Sequence, residues 1–377
     1  MKTRYVFSAP GRTELSGNHT DHQRGSVLAA AVNLETVAIV TLNDENYIKL
    51  RSEGYPEVQV DLYDLSVHPE ERNSTAALIR GVAAAFARRG AKIQGFDADV
   101  RSSVLSGSGL SSSAAFEVLM GTILNELFFD KKLSPVEIAQ IGQYAENVYF
   151  GKPCGLMDQM ASSVGGMVFI DFEDPNQPKV EKINFDLEAA GYALCIIDSG
   201  ADHADLTDEY AAIPEEMKQV CAFFGKEVLR QITREEFMKN LPTLRKTVPD
   251  RAILRAMHIY QENDRVKKQV VALKNKDMAT FLNLVKESGR SSWMYLQNIT
   301  PTGAVKNQEV AVALAMCDTL LQGKGAYRVH GGGFAGTVQA FVPLQELEGF
   351  KTGIEAVLGE NSCHVLSIRD KGGIRIR

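Results

Sequence analysis

Strand-like and helix-like stretches follow one another in this chain without the regular alternation of a doubly wound sheet, and that mixed order limits the fold most. Runs of β-branched and aromatic residues, bounded by polar turns, mark strands at 4–8, 35–42, 47–52 and 96–104. A helix is expected from Ser74 to about residue 89, with Leu78, Val82 and Phe86 on one face and Gly90 as its stop. Residues 111–129 read as a second, strongly apolar helix. Ser134-Pro135-Val136-Glu137 is a capping box with proline at the first helical position, opening a third helix that should reach about residue 150. Strands return at 166–172, 180–185 and 192–198, residues 205–297 are mostly helical with a second capping box at Thr233–Glu236, and strands close the chain at 326–330, 337–343 and 363–368. This order favours an α+β architecture. A length of 377 residues exceeds what one hydrophobic core usually serves, so two domains are expected, 1–198 and 199–377, with the boundary near Ser199.

Composition narrows the class. A net charge of −6 lacks the basic surplus of a nucleic-acid binder, and no apolar run is long enough to span a membrane. The N-terminal residues lack the apolar core of a secretory signal. Cys154, Cys195, Cys221, Cys317 and Cys363 are scattered and odd in number, which argues against a disulfide framework or zinc site and for a reducing cytoplasm.

Four segments carry chemistry. Ser106-Gly107-Ser108-Gly109-Leu110-Ser111-Ser112-Ser113-Ala114 lies between a strand and the apolar helix. Glycines permit close backbone approach, and a helix N-terminus offers unpaired N–H groups, so the segment suits an anion. It lacks the Gly-Lys-Ser/Thr ending of a Walker loop, and a serine-rich helix cap is the alternative. Gly331-Gly332-Gly333-Phe334-Ala335-Gly336 matches a dinucleotide fingerprint literally, but a strand follows it, which removes the nicotinamide reading. A glycine turn near a ligand and a plain hairpin both remain. The stretch from Pro10 to His22 is dense in polar residues. Arg12, His19, Asp21 and His22 could line a pocket, an exposed loop is the alternative, and the spacing is too crowded for a metal. Finally, Asp158 is a lone acid within Cys154-Gly155-Leu156-Met157-Asp158-Gln159-Met160, and a buried lone carboxylate must be paired or functional; helix capping is the alternative. Glu146 on the preceding helix could equally sit on a solvated face.

Together these segments resemble the galactokinases of the GHMP kinase superfamily. Ala9-Pro10-Gly11-Arg12 with Gly17-Asn18-His19-Thr20-Asp21 is similar to the galactokinase signature, Gly107 to Ala114 to the superfamily phosphate loop, Cys154 to Gln159 to the segment bearing the galactokinase aspartate, and Arg328 to Phe334 to the third superfamily motif. Arg255-Ala256-Met257-His258, with Glu262 and Arg265, extends the likeness. The resemblance implies two α+β domains with the active site in the cleft between them, and an ATP- and Mg²⁺-dependent kinase acting on a sugar's anomeric hydroxyl. By the same likeness Asp158 is the catalytic base or the carboxylate that orients that hydroxyl, with Arg12 beside it. Asn18, His19, Asp21 and Tyr210 bind the sugar. Gly107, Ser108, Gly109, Leu110, Ser111, Ser112 and Ser113 bind the ATP phosphates, Ser112 or Ser113 with Glu146 holds Mg²⁺, and Gly331, Gly332 and Gly333 form the third-motif loop.

The likeness has departures. Asn18 stands where the family usually has a carboxylate that accepts from the sugar's 6-hydroxyl, His22 where it has tyrosine, and His330 where threonine is common. D-galactose is the expected substrate. A related sugar (an N-acetylhexosamine, an arabinose or a uronic acid) is the alternative that Asn18 and His22 raise. A non-catalytic sugar sensor on the same fold is the third reading, opposed by the presence of Arg12, Asp158 and the phosphate loop.

Overall fold

The computed structural model describes residues 3–104, 109–201 and 206–377, so Gly107 and Ser108 of the expected phosphate loop lie outside the described residues. An eight-stranded sheet contains β1 (Arg4–Ser16), β2 (Ser26–Leu42), β3 (Tyr47–Ser52), β4 (Val58–Asp61), β5 (Phe96–Ser102), β6 (Met167–Asp171) and β7 (Lys179–Ile183). A four-stranded sheet contains β8 (Tyr192–Asp198), β9 (Ala326–Val329), β10 (Thr337–Pro343) and β11 (Cys363–Leu366), and the last strand, β12 (Ile374–Arg375), returns to the first sheet beside β1. The first sheet runs β12-β1-β2-β5-β3-β4, with β6 on β2 and β7 on β6; the second runs β11-β8-β10-β9. β3 and β5 are parallel, and the other pairs are antiparallel.

On the first sheet lie α1 (Thr75–Arg88), α2 (Ser112–Phe128), α3 (Pro135–Tyr144) and α4 (Met157–Val164). The C-terminal half adds α5 (Thr207–Phe223), α6 (Arg234–Leu244), α7 (Asp250–Lys274), α8 (Met278–Ser291), α9 (Glu309–Leu321) and α10 (Leu347–Leu358). The mixed α+β architecture expected from the element order is present. Ser134 and Glu137 cap α3 reciprocally, and the Thr233 hydroxyl accepts from the Glu236 amide at 3.1 Å to start α6. Phe7, Ile79, Phe86, Phe96 and Val118 interlock α1 and α2 with the first sheet; Cys195, Leu314, Val338 and Ile354 do the same for α9 and α10 on the second. Among the described residues no helix is long and apolar enough to cross a membrane.

Two differences from the expected elements bear on chemistry. The first strand does not end at Ser8 but continues to Ser16, carrying the polar signature into the sheet. Pro10 has no N–H to pair, and Gly11 has little room, since a Cβ there would lie only 3.1 Å from Leu110 O; the strand absorbs them by shifting register between Pro10 and Arg12 and again between Glu14 and Ser16. Such bulges re-aim side chains. The exposed-loop alternative is thereby corrected: residues 11–18 are buried. The third helix, likewise, does not run on regularly to residue 150. It widens after Tyr144 into a π-helical turn, Ala145–Phe150, closed by Gly151 at φ +85°, and Glu146 turns inward to 3% exposure. That corrects the solvated-face alternative for Glu146.

The chain's end also supports α4. Gly372 lies where a Cβ would come within 1.9 Å of Ser163 O, near the C-terminus of α4, and Ser162 Oγ donates to Pro10 O at 2.7 Å on the other side. Gly372→Ala is expected to destabilise the fold by about 1–3 kcal/mol through overpacking, measured by urea unfolding.

Candidate active site

The bulge after Gly11 and the first turn of α4 bring together two residues 146 positions apart. Arg12 grips Asp158 through two parallel bonds, Nε to Oδ1 at 2.8 Å and Nη2 to Oδ2 at 2.7 Å, and its Nη1 donates to Gly109 O. The Arg12 amide donates to Leu110 O at 3.0 Å, so the strand also fixes the end of the expected phosphate loop. Burial opposes the Asp158 charge, but the Arg12 guanidinium, the Ser111 hydroxyl and Lys152 outweigh it and hold the carboxyl below its ordinary range. The first turn of a helix favours an anion in the same sense. The Asp158 side chain keeps about a third of its surface open, against 9% for Arg12, so the carboxylate faces space a ligand can enter.

Beside this pair, Gly109 (φ +71°) and Ser111 (φ +56°) take left-handed conformations before α2 begins at Ser112. Ser113 Oγ donates to Glu146 Oε1 at 3.2 Å; of the two serines expected there, this one meets the acid. Gln159 Nε2 bridges Glu146 Oε2 (2.8 Å) and Glu117 Oε2 (2.9 Å). Burial, and then the charge of Glu146, push Glu117 well above the usual carboxylate range, and its Oε1 has no partner. Glu117 belongs to none of the four segments that carry chemistry in the sequence. A signal for it is present there nonetheless: an acid in the middle of the apolar run of α2, whose other acid, Glu126, lies near the helix end.

Asp21 abuts the same centre. A side chain at Gly155 would strike its Oδ2 at 2.2 Å, so only glycine lets Asp21 sit there. His19 and Tyr210 approach from the glycine loop: His19 Nε2 meets Gly332 O at 3.1 Å, and Tyr210 Oη donates to Gly333 O at 2.9 Å with its ring edge-on to Phe334. Because a carbonyl can only accept, Nε2 of His19 carries the proton. Burial and the neighbouring His22 depress His19 to about 4, so the ring is neutral at pH 7 and Nδ1 is an acceptor. His22 remains exposed.

Asn18, expected to meet a sugar hydroxyl, is wholly buried. Its Nδ2 donates to Gly331 O at 2.6 Å and to Glu14 Oε1 at 3.3 Å, while its Oδ1 accepts from Asn298 Nδ2 at 2.9 Å and Ser292 Oγ at 3.4 Å. The amide is consumed inside the protein and orders the loop that other residues present.

A polar layer lies behind the site. Arg328 Nη2 pairs with Glu14 at 2.6 Å, His330 bonds Thr13 and Thr337, and Gln339 donates to Thr13 Oγ1 and Glu14 O. Glu262 accepts from Ser16, the Gly17 amide, Ser288 and Arg265, while His258 spans Asn18 O and Ser291. Burial lowers His258 to about 4 and drives His330 well below its ordinary value. Both are neutral when folded and protonate near 6.5 when unfolded, so the unfolded chain binds more protons between those values and stability falls as pH drops from about 6.5 towards 4. The unfolding free energy by urea titration is expected to decline from pH 7 to pH 5, and His258→Asn to reduce that slope by about one proton.

Comparison with known proteins follows the same lines. The family model for the GHMP kinases N terminal domain matches residues 77–166, and that for the galactokinase galactose-binding signature matches residues 1–42. Galactokinase from Streptomyces coelicolor is 30% identical over 353 residues, covering 93% of this chain and 87% of that one. Galactokinase from Actinobacillus pleuropneumoniae is 32% identical over 346 residues, covering 90% and 85%. Among solved structures, Lactococcus lactis galactokinase complexed with galactose superposes with a TM-score of 0.83 at 24% identity, covering 98% of this chain and 95% of that one, and a mevalonate kinase with 0.68 at 14%, covering 97% and 99%.

Proposed function

The chain belongs to the galactokinase family, and on that premise we propose that it transfers the γ-phosphoryl group of ATP to the anomeric hydroxyl of D-galactose. The observation that carries this reading is the two-bonded Arg12–Asp158 pair, open to solvent on the carboxylate side, at the end of the phosphate loop. Phosphoryl transfer has a loose transition state, so catalysis rests on alignment and charge stabilisation. Asp158 accepts a hydrogen bond from the sugar O1–H and aims that oxygen at the γ-phosphorus. Its depressed pKa makes it a weak base, so the proton reaches it late, as the new P–O bond forms and the bond to the β-phosphate oxygen breaks. Arg12 keeps Asp158 ionised and neutralises charge on the transferring group.

The open face of Asp21, Nδ1 of His19 and Tyr210 are the sugar contacts in this reading. Gly107 to Ser113 take the phosphates. Ser113, Glu146 and the adjoining Glu117 offer the hard oxygen donors that Mg²⁺ requires, and the orphaned Glu117 Oε1 fits a polar guest there. When bound, Mg²⁺ supplies charge neutralisation of the phosphates. The related-sugar alternative drew on Asn18 and His22; the burial of Asn18 removes the first ground, while His22 is exposed. We also propose two domains, with the boundary expected near Ser199 moved to before β8 (Tyr192–Asp198), since β8 pairs with β10 and β11, and a cytoplasmic setting, consistent with five free cysteines.

ADP release with ATP, Mg²⁺ and galactose tests the reading. Turnover is expected for the native chain, with Asp158→Asn reducing kcat about 10²–10⁴-fold while ADP affinity, by calorimetry, changes little. Near-normal turnover in the variant would remove Asp158 from the chemistry.

A further inference from the structure

The glycine loop has all three of its carbonyls fastened by residues from separate parts of the chain. Gly331 O accepts from Asn18, Gly332 O from His19 and Asn298, and Gly333 O from Tyr210. Asn298 takes the largest share. It follows a second π-helical turn, Ser292–Leu296, and Gln297 at φ +55°, which reverse the chain and lead Asn298 into the interior, where it is wholly buried. One amide group, Nδ2, donates both to Asn18 Oδ1 at 2.9 Å and to Gly332 O at 3.1 Å. The backbone carbonyl of the same residue accepts from the Phe334 amide at 2.6 Å and lies where any Cβ on Gly333 would be 2.0 Å away.

We propose that Asn298 is a positioning residue for sugar acceptance, clamping the signature turn at Asn18 to the glycine loop so that His19 and Tyr210 stand in register across the pocket. The inference rests on the sugar-kinase reading above and extends it to a residue that none of the four sequence segments contains. Its contacts reach the residues proposed to meet the sugar: Asn18 precedes His19, Gly332 O receives both Asn298 and His19, and Phe334, whose amide donates to Asn298 O, packs edge-on with the Tyr210 ring. In this reading Asn298 acts first on the sugar contacts. Its Oδ1 has no partner, so the donor half alone performs the clamping. An aspartate at this position keeps the shape, loses both donors, and turns an oxygen towards Asn18 Oδ1 and Gly332 O.

The test is steady-state kinetics of the full chain and of Asn298→Asp and Asn298→Ala, together with amide hydrogen exchange without ligands. Loss of two neutral hydrogen bonds corresponds to about a tenfold effect or more. The KM for galactose is expected to rise about tenfold in Asn298→Ala and further in Asn298→Asp, with the KM for ATP within about twofold of native. Exchange in the peptide spanning 330–336 is expected to accelerate while α2 is unchanged. Equal changes in both KM values, or no change in the galactose KM, overturn the positioning role, and unchanged exchange at 330–336 overturns the clamp. If the native chain itself turns over no galactose, the functional reading fails, and the exchange result still decides the clamp. A variant too unstable for kinetics is replaced by Asn18→Ala, which removes the other end of the same bond and is expected to accelerate exchange in the same peptide.

Discussion

The pairing of Arg12 with Asp158 is the contact around which the site is arranged. A buried ion pair is a poor source of net stability, because desolvation of both charges offsets most of their attraction. Here the expense is local and directional. One carboxylate face is taken by the guanidinium, and the other stays open. The strand bulge at Gly11 aims Arg12, Ser162 ties α4 to Pro10 O, and the C-terminal tail at Gly372 backs the end of α4. Three distant stretches of chain thus set one side chain's orientation, as close alignment for phosphoryl transfer requires.

Behind that pair the protein places charged and polar groups in numbers unusual for an interior. Glu14 with Arg328 and Glu262 with Arg265 balance one another, and His258 and His330 stay neutral. In low dielectric each satisfied bond is strong and each broken one costly, so such a layer specifies a single geometry. Glu14, Ser16 and Asn18 come from the first sheet and its turn. Arg328, Glu262, Asn298 and His258 come from the C-terminal half. The layer is therefore the polar joint between the halves, and His19, Asp21 and Tyr210, the proposed sugar contacts, lie beside it.

The sequence made the local features legible. Capping at Ser134 and Thr233 and the apolar α2 follow from short-range patterns, whereas the roles expected of Arg12, Asp158 and the serine-rich loop come from the resemblance to galactokinases. What it concealed was set by distant partners. Asn18 reads as a polar residue in a ligand motif, and only Gly331, Asn298 and Ser292, some 270 to 310 residues away in the chain, reveal it as an interior strut. Glu146 reads equally as a surface acid or a functional one until the π-helical turn brings it inward. β8 reads as the last strand of the first half, yet its partners β10 and β11 are more than 130 residues further on. Glu117 and the position of Arg328 beside Glu14 are likewise products of packing, since nothing within a few residues of either announces its partner.

The central claim concerns which bond forms, so the most direct measurement is phosphorus NMR of the product made from galactose, ATP and Mg²⁺. The account predicts a single new phosphomonoester resonance coupled to the anomeric proton of the sugar, as a phosphate on O1 must be. A phosphate coupled to a different ring or exocyclic proton, or ADP formed with no sugar phosphate at all, would contradict it.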